Sequence, residues 1–83
     1  MFTVYVLYTK QHNKLYIGMT SKLEQRLLSH NKLAKKGFTV RFRPWTLIHT
    51  ETFDTKNEAL LREKKLKGGQ GRQWIRAQFI SKF

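Results

Sequence analysis

The chain opens on the run Phe2-Thr3-Val4-Tyr5-Val6-Leu7-Tyr8, in which β-branched and aromatic residues alternate without leaving a polar face. Apolar residues on both faces are typical of a strand covered on both sides, so this strand is predicted to lie at the centre of a sheet. A polar turn follows at Lys10-Gln11-His12-Asn13, and Leu15-Tyr16-Ile17-Gly18 resumes the β pattern. Residues 2–18 are therefore predicted to form a hairpin that places Tyr5 opposite or diagonal to Tyr16.

The rest of the chain predicts helices around a third strand. Two capping boxes mark helix starts, at Ser21-Lys22-Leu23-Glu24 and at Thr55-Lys56-Asn57-Glu58. The first helix is predicted to run to about Lys35 before Gly37 ends it, and the second to end at Gly68-Gly69. A Thr-rich alternating segment at residues 45–53 predicts a strand, and the apolar spacing at residues 72–83 predicts a last helix.

The order β-β-α-β-α-α predicts one domain over residues 1–83 of the α/β or α+β class. Its small three-stranded sheet, mixed or antiparallel, would be flanked by three helices.

Charge narrows the possible partners. The 83 residues carry 17 Lys plus Arg against 5 Asp plus Glu, a formal net charge of +12. Such an excess destabilises a compact chain by self-repulsion, and this indicates a polyanionic partner, nucleic acid first of all. The alternative is a solvated, solubilising face. The chain has no cysteine and no apolar run of membrane-spanning length, so a cytoplasmic protein without a membrane partner is expected.

The first predicted helix places two residues where chemistry is possible. Leu23, Leu27 and Ala34 form its apolar stripe, His30 falls within the stripe, and Arg26 lies about 60° to one side. Arg26 would then point across the sheet edge. Simple structural roles remain open for both, because an arginine at a helix margin can snorkel and a histidine on an apolar face can be a hydrogen-bonded core residue.

Carboxylates are scarce enough to be sorted by position. Glu24 and Glu58 occupy capping-box positions, and Glu51 and Asp54 bracket the end of the third strand. Only Glu63 has no local duty. It could form an i,i+4 pair with Lys67, or it could hold a divalent cation, because Mg²⁺ is commonly bound by one or two carboxylates with water and phosphate oxygens.

Taken in order, these motifs resemble the GIY-YIG nuclease superfamily, and the chain is similar to the N-terminal nuclease domain of the excision-repair subunit UvrC. The resemblance rests on four groups of residues: Val4-Tyr5-Val6; Leu15-Tyr16-Ile17-Gly18; Thr20 with Leu23, Arg26, Leu27 and His30; and Glu58-Ala59-Leu60 leading to Glu63. The first tripeptide lacks the Gly and Ile of the family name. An Asn that some relatives carry beyond the glutamate is also missing, and only Gln73 or Gln78 could replace it.

The resemblance implies that Tyr5, Tyr16, Arg26, His30 and Glu63 are catalytic residues that converge on one solvent-reachable face. Glu63 would bind Mg²⁺ or Mn²⁺, Arg26 would stabilise charge on the scissile phosphate, and Tyr16 would lie nearest the attacking water. The base could be Tyr16 or His30, since a tyrosine with its ordinary pKa of about 10 needs help from the metal or Arg26 and a histidine does not.

The resemblance also implies a metal-dependent endonuclease acting on DNA in preference to RNA, in repair or recombination, with weak sequence specificity. Candidate nucleic-acid contacts are Gly18, Lys22, Lys35, Arg41, Phe42, Arg43 and Lys67. In the segment 37–43 aromatic and Arg residues interleave, and Phe38 or Phe42 could stack on an unpaired base. The alternatives are a catalytically weak or inactive nucleic-acid-binding module and an adaptor whose basic face meets an acidic protein.

Overall fold

The sheet contains the predicted hairpin. The computed structural model describes residues 1–33 and 37–80, with strands β1 Phe2–Thr9, β2 Lys14–Thr20 and β3 Thr46–Phe53. The strand order is β2-β1-β3 and both pairings are antiparallel, so β1 is central as predicted. Tyr5 pairs with Gly18 and Leu7 with Tyr16, which makes the two tyrosines diagonal neighbours on one face.

Helices cover both faces of this sheet, which confirms the predicted α+β class. They are α1 Leu23–Leu28, α2 Phe38–Arg41, α3 Lys56–Lys67 and α4 Gly69–Ile75. Helix α1 continues as a π-helical turn, Ser29–Leu33, and α4 as a second one, Arg76–Ile80. The last helix therefore begins three residues before the predicted Arg72, and α2 was not predicted. In the described ranges 1–33 and 37–80, no helix is long and apolar enough to cross a membrane.

Of the two predicted capping boxes, one is confirmed and one is wrong. Thr55 is the N-cap of α3, and its hydroxyl accepts from the Glu58 N–H at 3.2 Å and donates to the Glu58 carboxylate at 2.9 Å. Helix α1 instead begins at Leu23 without a side-chain cap. The hydroxyl of Thr20 accepts from the Lys22 N–H at 3.0 Å, and Lys22 rather than Ser21 is the N-cap, so the helix begins one residue later than the predicted box requires.

The core has two parts, one on each face of the sheet. On one face Val4, Val6 and Ile17 pack with residues of α3 and α4, including Leu66 and Ile75. On the other face the cluster is Tyr5, Leu7 and Trp45, with Tyr16, Leu23, Leu27 and Phe42 packed against it. Leu23 and Leu27 thus form the predicted inner stripe of α1, and Ala34 lies outside the described residues.

Candidate active site

Three buried side chains form a hydrogen-bonded network beneath the hairpin. The Tyr5 hydroxyl is 2.8 Å from His30 Nε2, and His30 Nδ1 is 2.9 Å from the hydroxyl of Thr39. Tyr5, His30 and Thr39 are only 1%, 6% and 7% exposed. The π-helical turn after α1 positions His30, and α2 supplies Thr39. Sequence analysis missed Thr39 because the four-residue helix that carries it has no cap or periodic signal.

Burial determines the protonation states of Tyr5 and His30 in this network. It raises the pKa of Tyr5 to about 12, the nearby Tyr16 adds to the increase, and the positive charge of Arg26 opposes it. Burial also lowers the pKa of His30, helped by the positive charges of Arg26 and Arg43. At neutral pH Tyr5 therefore keeps its proton and His30 is neutral. Either neutral tautomer of His30 satisfies both bonds, because the hydroxyls of Tyr5 and Thr39 can each donate or accept.

Tyr16 covers this buried network on its solvent side. Its ring centroid lies 4.8 Å from that of His30 and 6.2 Å from that of Tyr5. Tyr16 is half-buried and lines a surface groove. The prediction that all five candidates share one solvent-reachable face is therefore wrong for Tyr5 and His30, because the large rings of the second core cluster close over them. Tyr16 is the tyrosine that solvent can reach.

Arg26 and Glu63 lie on helices that pack on opposite faces of the sheet. Arg26 is exposed on α1, and Glu63 lies on α3. Both charges affect the pKa of Tyr5, Arg26 lowering it and Glu63, the smallest contribution, raising it. The structure thus brings Tyr5, Tyr16 and His30 into contact, and the convergence of Arg26 and Glu63 on them stays a prediction.

The family of this chain is shown by comparison with known proteins. A family model described as the GIY-YIG catalytic domain matches residues 1–75. The chain belongs to the GIY-YIG family. Membership of the GIY-YIG family implies nuclease-type chemistry on a nucleic-acid substrate.

The GIY-YIG relatives include bacterial UPF0213 proteins. One from Clostridium perfringens is 38% identical over 80 residues, covering 93% of this chain and 85% of the relative. One from Staphylococcus saprophyticus is 38% identical over 64 residues, covering 77% of each. One from Bacillus velezensis is 42% identical over 55 residues, covering 66% of this chain and 56% of the relative.

In this GIY-YIG domain Gly18 has a steric reason to be glycine. A Cβ built at this position would lie 2.5 Å from the Tyr5 hydroxyl oxygen and 3.1 Å from the Tyr16 ring. Any side chain would therefore push one of the two rings out of the cluster. This role is in ring packing, and the predicted nucleic-acid contact of Gly18 stays a prediction.

The donor set of the GIY-YIG site suits one kind of metal binding. No group of three or more His, Cys, Asp or Glu residues that could hold a metal ion is present in residues 1–33 and 37–80. Glu63 is the carboxylate, among the described residues, whose charge contributes to the raised pKa of Tyr5. A single carboxylate fits Mg²⁺ or Mn²⁺ when water and substrate phosphate complete the shell. Its contact with Lys67 Nζ, at 3.7 Å, is the predicted i,i+4 pair.

The carboxylate of Glu51 has a structural role. Arg62 binds Glu51 with two hydrogen bonds of 2.8 and 3.0 Å, and His49 adds a third of 2.7 Å. Although burial opposes ionisation, these bonds hold the pKa of Glu51 below its usual value. Sequence analysis placed Glu51 only near a strand end. The missed signal is the period-2 spacing of His49 and Glu51, which puts both on one face of β3.

Arg43, one of the predicted nucleic-acid contacts, forms hydrogen bonds within the protein. Its guanidinium donates to the backbone carbonyls of His30 at 2.6 Å and of Ser29 at 2.9 Å. These bonds fix the π-helical turn that carries His30. Phe42 is half-buried against the second core cluster, and Lys14 and Arg41 lie over its ring at 4.9 and 5.5 Å.

The remaining predicted contacts differ in position. Lys22 and Arg41 are exposed, and Lys67 lines the same groove as Tyr16. Lys35 and the ring of Phe38 lie outside the described part of the chain.

Proposed function

We propose that this chain is a divalent-metal-dependent endonuclease that hydrolyses phosphodiester bonds in DNA, with weak sequence specificity and a role in repair or recombination. The observation that carries the proposal is the layered site. Buried Tyr5 and His30 support the half-buried ring of Tyr16, while the opposite charges of Arg26 and Glu63 act on the same hydroxyl.

Arg26 is assigned to the phosphate. A phosphodiester anion repels its nucleophile, and charge grows on its oxygens as the new bond forms. A guanidinium offers planar, paired donors to two such oxygens and stabilises that charge. Arg26 is exposed on α1, so substrate can reach it from solvent.

Tyr16 is assigned to the attacking water. Both ring nitrogens of His30 are engaged, one with Tyr5 and one with Thr39, so His30 cannot bind that water without breaking a buried bond. Tyr5 is held in its protonated form by a pKa of about 12. The Tyr16 hydroxyl therefore orients the water, while Tyr5 and His30 hold the Tyr16 ring in place. To accept the water's proton the phenol must first release its own proton to solvent, which the positive charge of Arg26 or of a bound divalent cation would favour.

Glu63 is assigned to the metal. A bound Mg²⁺ or Mn²⁺ would supply positive charge to the phosphate and lower the pKa of a coordinated water. To bind it, Glu63 must leave Lys67. A loose surface pair of this kind is worth only about 0–1 kcal/mol, so the change costs little.

The charge of the protein supports a DNA substrate that is bound through its phosphate backbone. The net charge of +12 suits a polyphosphate chain, and phosphate contacts position a strand without reading its sequence. The choice of DNA over RNA follows the resemblance to the UvrC nuclease domain.

The test is cleavage of labelled single-stranded, duplex and branched DNA and of RNA, each with Mg²⁺, Mn²⁺ or EDTA. Metal-dependent cuts in DNA are expected, with a Tyr16→Phe variant that binds normally and cuts far more slowly. Salt-sensitive binding of every substrate without cleavage under any condition would instead support a nucleic-acid-binding module.

A further inference from the structure

A basic groove continues from the candidate site along the free edge of β2. It has a volume of about 610 Å³ and starts at Tyr16 and Ile17. Four cationic side chains line the rest of it: Lys14, Lys67, Arg72 and Arg76. They come from β2, from the end of α3, and from α4 and the π-helical turn that follows it. We refer to this feature as the β2 groove.

Two of these cations are held in place by the fold. The Arg76 guanidinium donates to the Asn13 side chain at 2.8 Å and to the Asn13 carbonyl at 3.3 Å, which ties the end of α4 to the hairpin turn. Arg72 donates through Nε to the Lys67 carbonyl at 3.2 Å. Each of these bonds leaves other guanidinium N–H groups for a ligand, and less side-chain entropy is lost on binding because the arginines are already oriented.

The charge of the groove is barely neutralised by the protein. Glu63 approaches Lys67 only to 3.7 Å, Glu51 is engaged by Arg62 and His49, and Glu58 interacts with the Thr55 cap. Four like charges gathered from separate elements repel each other and destabilise the fold. A polyanion that enters the groove would remove this repulsion.

We propose that the β2 groove, which starts at Tyr16, binds the phosphate backbone of the nucleic-acid strand on one side of the scissile phosphate. This proposal rests on the proposed function and adds to it the path of the substrate. Among the described residues that line the groove, Tyr16 is the only aromatic one and four are cations, so the groove binds phosphates without distinguishing bases.

The experiment compares two triple variants that each remove three positive charges. The groove variant is Lys14→Gln with Lys67→Gln and Arg72→Gln. The control is Lys56→Gln with Lys64→Gln and Lys65→Gln, three exposed lysines on α3 outside the groove. Arg76 is left intact because its bonds to Asn13 hold the fold together. Circular dichroism and urea unfolding establish that both variants fold.

Binding of a fluorescent oligonucleotide is measured by anisotropy in EDTA between 50 and 200 mM salt. Each lost phosphate contact makes the plot of log K against log salt shallower by about 0.7 to 0.9, so the groove variant is expected to lose about 2 to 2.7 in slope. The control should keep the wild-type slope. A double variant, Lys14→Gln with Arg72→Gln, leaves the Glu63–Lys67 pair intact and should lose about two thirds as much.

Inorganic polyphosphate is the competitor without bases, and it should displace the oligonucleotide from the wild type and much less effectively from the groove variant. Equal slope losses in the two triple variants, or failure of polyphosphate to compete, would overturn the groove. If the slopes behave as expected but the wild type never cuts with metal, the groove stands and the proposed function fails. If the wild type cuts and the groove variant binds normally, the proposed function stands and the groove proposal fails.

Discussion

The two hairpin tyrosines show how strongly position changes one residue type. Tyr5 is 1% exposed and bonded to His30, and burial raises its pKa to about 12. Tyr16, two residues away across the strand pair, is half-buried at the mouth of the β2 groove. The same phenol is thus a buried, hydrogen-bonded group in one place and a solvent-reachable group in the other. Sequence spacing predicted that both lie on one face, but it could not predict this difference in burial.

The neutral, buried His30 makes stability depend on pH. Its folded pKa is lowered by burial, whereas the unfolded chain has the ordinary value of about 6.5. On acidification the unfolded state takes up the proton first, so the stabilisation is present above about pH 6.5 and is lost as pH falls toward the folded pKa. Urea unfolding at pH 7.5, 6.5 and 5.5 should show this loss.

A His30→Gln variant tests the assignment, because it should be less stable at pH 7.5 and should lose less stability on acidification than the wild type. His12→Gln, at the half-buried histidine of the hairpin turn that packs against the Phe42 ring, is the control and should keep the wild-type dependence. If both variants behave alike, another group causes the effect.

Glu63 and Arg26 should separate catalysis from binding. Glu63→Gln removes a negative charge from a basic surface, so affinity for DNA in EDTA should hold or rise while metal-dependent cleavage falls by about two orders of magnitude or more. Arg26→Ala should weaken both, with cleavage reduced about a hundredfold to a thousandfold, because it removes a phosphate contact that strengthens in the transition state. Single-turnover cleavage and anisotropy measure the two effects.

Glu24→Gln makes the same change of charge on α1, where Glu24 is exposed, and is expected to cleave at nearly the wild-type rate. Normal cleavage by Glu63→Gln would remove the metal role from Glu63.

Strand β2 is the element that organises the site, and Gly18 is where it comes closest to the rings. Gly18→Ala places a methyl group 2.5 Å from the oxygen of a fully buried tyrosine. Overpacking of this kind costs about 1–3 kcal/mol of unfolding free energy. Cleavage should fall as well, since Tyr5 must move away from His30. Chemical unfolding and a cleavage assay provide the two measurements.

Gly69→Ala is the matched control, because nothing lies within 4 Å of its added Cβ at the start of α4. It should be neutral or stabilise by about 0.4–1 kcal/mol. Equal destabilisation by the two substitutions would contradict the packing explanation for Gly18.

Elements were predictable where a local signal had no competitor. At α3 the hydroxyl of Thr55 accepts from the Glu58 N–H as predicted, whereas at α1 the hydroxyl of Thr20, from the preceding strand, accepts from the N–H of Lys22. The two π-helical turns and α2 had no such signal. The first π-helical turn and α2 are held by hydrogen bonds of Arg43, Thr39 and Trp45 around residues 29–31, which depend on the folded chain.

For the molecule as a whole, the net charge of +12 should make the fold sensitive to salt. Salt screens the repulsion between exposed cations, so Tm should rise between about 20 and 500 mM NaCl at neutral pH. The Lys56→Gln, Lys64→Gln, Lys65→Gln variant should start from a higher Tm at low salt and gain less. Thermal unfolding followed by circular dichroism checks both, and a Tm that falls with salt would mean that surface ion pairs outweigh the repulsion.

The sequence by itself determined the hairpin, the central position of β1 and the α+β class, and it supplied five candidate site residues whose roles stay predictions. These follow from strand periodicity, turn chemistry, one cap and an ordered set of motifs, all of which are local in the chain. Tertiary structure alone decided that Tyr5 and His30 are buried and that Thr39 joins them. It also committed Glu51 to Arg62 and carried the basic groove across β2, α3 and α4. Burial and the meeting of distant charges depend on how elements pack, and no local pattern encodes that packing.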